Sequence, residues 1–98
     1  MKLTAAEIAA ALADVPGWSS DESKLTRTYA FASFPDAIAF VTRLAFDAEA
    51  ADHHPDLQVN YRKVTVVWST HSAGGITAKD FAGARQSDMI AARMAPAP

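Results

Sequence analysis

The sequence predicts a two-layer α+β fold: a four-stranded antiparallel sheet covered by helices on one face, in the order α-β-β-α-β-β-α. Three observations lead there. Segments at the start, middle and end of the chain open on helix-capping residues, whereas the stretches between them alternate with a period of two. The 98 residues suffice for one compact core but not two, so residues 1–98 are expected to form a single domain without repeats or a linker. Two antiparallel hairpins covered on one side satisfy the layering rule for so short a chain.

Each element follows from local chemistry. In LTAAEIAAALADVP, Thr4 caps a helix and Glu7 stands at capping-box spacing. Ile8, Leu12 and Val15 give it a thin apolar stripe, and Pro16-Gly17 ends it. Trp18 opens a short extended piece, and SSDES reads as a polar turn. KLTRTYAF then alternates, placing Leu25, Arg27, Tyr29 and Phe31 on one side of a strand. SFPDAIAFVTRLAFDAEAAD changes to a helical period, with Ser33 and Asp36 at capping spacing and Pro35 in the first turn. Phe34, Ile38, Val41 and Ala45, widened by Phe40 and Leu44, are expected to be its core stripe.

LQVNYRKVTVVWST is extended, with Val64, Val66 and Trp68 on one side and Thr65, Val67 and Ser69 on the other. Asn60-Tyr61-Arg62 fits either a continuous strand or a hairpin, and Tyr61 and Trp68 read as sheet core. Gly74-Gly75 forms a loop. Thr77 as cap, Asp80 three residues on, and Ile76 facing Phe81 start a last helix that runs to about Arg93, followed by a frayed PAP.

Composition narrows the function classes. The chain is 50% hydrophobic and 20% charged, with no run near the roughly 20 apolar residues of a membrane span. Glu7 and Asp14 interrupt the apolar N-terminal stretch, unlike a signal peptide, so cytoplasmic residence is expected. The absence of cysteine excludes disulfides, thiolate nucleophiles and cysteine-based metal sites. Nine basic against eleven acidic residues, a formal charge of −2, offer no broad attraction for nucleic acid. The sheet's free edges and uncovered face point to self-association.

The chemistry-bearing residues gather around EAADHHP, where Glu49 precedes His53, His54 and Pro55, and around His71 in THSAGG. Adjacent His53 and His54 diverge on regular backbone and are awkward metal ligands, so no metal is expected despite three imidazoles. Proton transfer asks for less, because an imidazole can take and return a proton near neutral pH. Pro55 prevents the helix from continuing and sets the pair on a bend. If the last strands return antiparallel, His71 approaches that corner. Glu49 is placed to support His53 across one helical turn, and Asp52 and Asp80 are further carboxylates able to orient an imidazole or bind a polar ligand. From these residues alone, an enzyme and a binding module remain equally open.

The whole string Glu49-x3-His53-His54-Pro55-x5-Tyr61-x9-His71-x8-Asp80 resembles the signature of the pterin-4a-carbinolamine dehydratase family, also known as the dimerization cofactor of a homeodomain transcription factor. LTRTYAFxSFPDAIAFV and KVTVVWSTHSAGGIT extend the resemblance over essentially the complete chain. It implies the same sheet-and-helix fold, assembled as a homodimer or homotetramer. It also implies dehydration of a 4a-hydroxy-tetrahydropterin, such as 4a-hydroxytetrahydrobiopterin, to quinonoid dihydropterin in pterin recycling, without metal or cofactor. Carried over by position, His54 would be the main base, with His53 and His71 on the hydroxyl side. Glu49, Asp52, Pro55 and Asp80 would bind or orient the substrate. Leu57 departs from the pattern, standing where the family often carries an aromatic. The alternative implied by the same family is a non-catalytic protein-interaction or coactivator scaffold.

Overall fold

Hydroxyl side chains start the three α-helices among the described residues. Thr4 accepts the Glu7 N–H and opens α1 (Ala5–Leu12), Ser33 accepts the Asp36 N–H and opens α2 (Phe34–Ala51), and Thr77 opens α3 (Ala78–Ala92) in a full capping box with Asp80. The computed structural model describes residues 1–21 and 23–95; the expected fraying of PAP lies outside them. Between the helices run β1 (Ser19–Ser20), β2 (Leu25–Ala30), β3 (Asp56–Asn60) and β4 (Lys63–Trp68), and a 3-10 turn spans His71–Ala73. The strands form one antiparallel sheet in the order β1-β2-β4-β3, so the predicted α+β class and element order hold. Among the described residues no helix is long and apolar enough to cross a membrane.

The alternation read from the sequence sorts the strand residues onto two faces, and the helices cover one of them. Leu25, Tyr29 and Phe31 from β2 and its exit, with Val64, Val66 and Trp68 from β4, are buried under the helices. Arg27 lies on that same side without an energetic conflict, because Asp88 on α3 meets its charge at 2.8 Å. The opposite face carries Thr28 and Thr65, whose hydroxyls bond across the strands at 2.9 Å.

Two expectations need correction. The core stripe of α2 is Ala37, Phe40, Leu44 and Ala48, while Phe34 and Ile38 are 48% and 40% exposed and Ala45 faces out. The helix is apolar on more than one side, and the phase that wins buries two alanines together with Phe40 and Leu44. Burial of Phe40 and Leu44 contributes about 1.5–3 kcal/mol each. Tyr61 is not sheet core either: it is 66% exposed in the tight turn joining β3 to β4, with φ at +56°. Asn60 pairs with Lys63 across that turn, so the segment is a hairpin. The residue was hard to place because the left-handed region usually goes to Gly or Asn.

Asp88 ties three parts of the chain together. One of its oxygens, Oδ1, accepts from Trp18 Nε1 at 3.0 Å, Arg27 Nη1 at 2.8 Å and the Tyr29 hydroxyl. Burial, reinforced by the adjacent Asp88 carboxylate, pushes the Tyr29 phenol well above its ordinary range. The folded protein therefore holds this proton where the unfolded chain releases it, so stability is full below about pH 10 and falls as pH rises further. Urea titrations at pH 9, 10 and 11 are expected to show that loss, and Tyr29→Phe is expected to lack this component.

Candidate active site

The site is built where α2 stops. Asp52 takes a left-handed conformation (φ +52°), its N–H bonds the Glu49 carbonyl, and the His53 N–H bonds the Ala48 carbonyl at 3.2 Å. This closure turns the chain sharply, and Pro55, half-buried at the entry to β3, keeps the helix from resuming. The two histidines consequently leave in opposite directions.

His53 points inward. Its Nε2 lies 2.7 Å from Asp80 Oδ1, its ring stacks on Trp68 with centroids 5.3 Å apart, and its side chain is 15% exposed against 0% for Asp80. His54 points outward, with Nε2 2.7 Å from Glu49 Oε1 on an open surface. Glu49 therefore serves His54, not His53 as the helical spacing suggested. The i,i+4 relation holds only while the helix continues, and the turn at Asp52 breaks it.

Asp80 does double duty. Its Oδ2 accepts the Thr77 N–H at 2.9 Å, completing the cap of α3, and the Thr70 hydroxyl at 2.8 Å. The expected antiparallel return does form: Asp56 pairs with Val67, which lays the His54-Pro55 segment beside the end of β4. His71 itself is exposed at the head of the 3-10 turn, and Gly74 closes that turn with φ at +71°. Among the described residues no hydrogen bond joins His71 to His53 or His54. Asp52 is exposed and makes the backbone turn, without a bond to any imidazole. Nor do three histidine or carboxylate side chains among the described residues converge in a metal-binding arrangement.

Beside His53 lies a cavity of about 460 Å³ between α2 and α3, within the range of small-molecule sites. Trp68, Ala48, Lys79, Gly83 and Gln86 contribute to its wall. Gly83 permits the close passage of α3 over Trp68, since an added Cβ would fall 2.5 Å from the indole. Sequence reasoning missed Thr70 as a partner of the site; its position next to His71 was the available signal. It also took Trp68 as plain core, although the indole is both buried and a platform for His53.

Comparison with known proteins adds to this geometry. The family model described as "Pterin 4 alpha carbinolamine dehydratase" matches residues 1–90. The chain belongs to this family. A protein of Chloroflexus aurantiacus named "Putative pterin-4-alpha-carbinolamine dehydratase" is 52% identical over 91% of this chain and 96% of its own length. A relative of the same name from Roseiflexus castenholzii is 51% identical over 90% and 95%. Among solved structures, the transcriptional coactivator/pterin dehydratase from Brucella melitensis superposes with a TM-score of 0.90 at 35% identity, covering 93% of this chain and 99% of that one. A pterin dehydratase-like protein identified as a RuBisCO assembly factor in the alpha-carboxysome shares the fold at 23% identity, with a TM-score of 0.63 over 76% and 86%. In this pterin carbinolamine dehydratase family member, Leu57 is half-buried on β3 opposite Val66 and packs against the core.

Proposed function

We propose that the chain is a dehydratase acting on 4a-hydroxy-tetrahydropterins, releasing water and quinonoid dihydropterin by proton transfer through histidines. The observation that carries this reading is the pair of unlike imidazoles at one corner: His53 anchored on buried Asp80, and His54 open to solvent beside Glu49. The reaction needs one proton delivered and one removed. Protonation of the 4a-hydroxyl lets the C4a–O bond break with its electrons leaving on oxygen as water. Loss of the N5 proton frees the electron pair that forms the C4a=N5 bond. The electrons stay within the substrate, so the balance calls for neither metal nor redox cofactor.

His54, whose ring is accessible, takes the N5 proton, and His53 serves the hydroxyl side with His71 at the rim. Glu49 orients His54 and Asp80 orients His53, while Pro55 and Asp52 shape the corner on which the pterin rests. Such an activity would return oxidised pterin to recycling where a pterin-dependent hydroxylase is present. Stopped-flow absorbance on freshly generated 4a-hydroxy-tetrahydropterin is expected to show dehydration faster than the unaided reaction. An unaccelerated trace from folded protein across neutral pH would overturn the assignment.

A second reading, a protein-interaction scaffold, is favoured by the exposed Phe34, Ile38 and Phe46 on α2 and by the coactivator function in the Brucella protein's description. The same surface, with the free edge of β3 and the uncovered sheet face, supports a homodimer or homotetramer. Sedimentation velocity at micromolar concentration is expected to give at least a dimer; a single species of monomer mass would refute it.

A further inference from the structure

We infer that Thr70 is a positioning residue of the histidine site: it completes a one-way hydrogen-bond chain that holds neutral His53 as the Nε2–H tautomer, leaving Nδ1 to exchange the proton. The direction of the chain follows from counting hydrogens. The Lys79 N–H can only donate, and it does so to Thr77 Oγ1 at 3.2 Å. The Thr77 hydroxyl lies 2.9 Å from Thr70 Oγ1. The Thr70 hydroxyl has a single proton, which goes to Asp80 Oδ2 at 2.8 Å, because a carboxylate oxygen has none to give. Thr77 must then be the donor in the bond between the two hydroxyls.

The same oxygen of Asp80 receives the Thr77 N–H at 2.9 Å. With two donors converging on Oδ2, the remaining oxygen faces His53 Nε2 at 2.7 Å and accepts as well. Nε2 therefore carries hydrogen. With Asp80 as a carboxylate, Oδ1 has no proton to give, so the bond runs from Nε2 to Oδ1. Bulk water does not compete for these bonds, since Thr70, Thr77 and Asp80 are 8%, 5% and 0% exposed. The stacking of the ring on Trp68 fixes its plane, so the tautomer and the orientation are set together. Glu49 bonds Nε2 of His54 in the same sense, but on an open surface where water competes for both partners.

The kinetic part of this inference rests on the dehydratase reading; the tautomer part does not. Long-range proton–nitrogen correlation on protein labelled with 15N-histidine, at about pH 8 where an ordinary imidazole is neutral, reads the tautomer directly. Wild-type His53 is expected to show a protonated Nε2 and a bare Nδ1. Thr70→Val is expected to raise the Nδ1–H fraction and to lower kcat about tenfold with KM changed less than about twofold. Thr70→Ser should restore both. Thr70→Cys, a weaker donor, should fall between and supplies the reading if the valine variant does not fold. A wild-type His53 protonated at Nδ1 would overturn the inference whatever the variants do, and an unchanged tautomer ratio in the folded valine or cysteine variant would remove Thr70 from it. The expected spectra in a protein that dehydrates no pterin would instead leave the chain standing and sink the dehydratase reading.

Discussion

His54→Ala is expected to lower the catalysed rate of 4a-hydroxy-tetrahydropterin dehydration by about 100-fold or more, the contribution of a well-placed general base, while leaving the fold intact. The side chain is 56% exposed and its hydrogen-bond partner Glu49 81% exposed, so the lost contact is a surface one, worth about 1 kcal/mol at most. Activity and stability should therefore separate in this variant. His53→Ala should not separate them, because it strips the buried Asp80 carboxylate of its imidazole and opens space against Trp68. Stopped-flow kinetics corrected for the unaided reaction, alongside urea titrations, measure both quantities. A folded His54→Ala protein with wild-type rates would remove His54 from the mechanism.

Asp80→Ala should give the largest loss of stability of any change at the site, about 3 kcal/mol, or a fall in Tm of 10 °C or more by the usual scaling for a domain of this size. The side chain is 0% exposed, and its removal orphans three donors at once: the Thr77 N–H, the Thr70 hydroxyl and His53 Nε2. It also removes half of the capping box that starts α3. Asp80→Asn keeps the volume but substitutes an amide, whose NH2 cannot accept, and should fall between wild type and alanine. Thermal unfolding followed by circular dichroism checks the order. An alanine variant as stable as wild type would show that the buried network contributes nothing to the fold.

The contrast between these two neighbours shows where sequence reasoning stopped. His53 and His54 are identical in type and adjacent, and nothing in EAADHHP says which one enters the core. Their divergence was legible, since successive residues rarely share a direction on regular backbone. The assignment of Glu49 was not. It was matched to His53 through the four-residue spacing of a helix, but the left-handed turn at Asp52 redirects the chain one residue before that spacing is complete. A non-glycine residue in that conformation leaves no strong mark in a sequence, and Tyr61 escaped recognition for the same reason.

By itself, the sequence determined the elements and their starts. Thr4, Ser33 and Thr77 cap helices because a side-chain oxygen satisfies an N–H that the helix leaves free, which is a local matter. The period of two in KLTRTYAF and KVTVVW likewise sorted the strand residues onto two faces, because side chains alternate across any strand; which face is buried was decided by the helices packed on it. The whole string from Glu49 to Asp80, with the stretches LTRTYAFxSFPDAIAFV and KVTVVWSTHSAGGIT, carried the resemblance to the family. Only the tertiary structure decided the phase of α2, where Ala37, Phe40, Leu44 and Ala48 rather than Phe34 and Ile38 are buried, because burial depends on what packs opposite. Only it brought Thr70, Thr77 and Asp80 around one imidazole and left Glu49 with the other. Residues 53, 70 and 80 are distant in the chain, and their hydrogen bonds exist because β4 returns beside β3 and α3 starts at the end of that return.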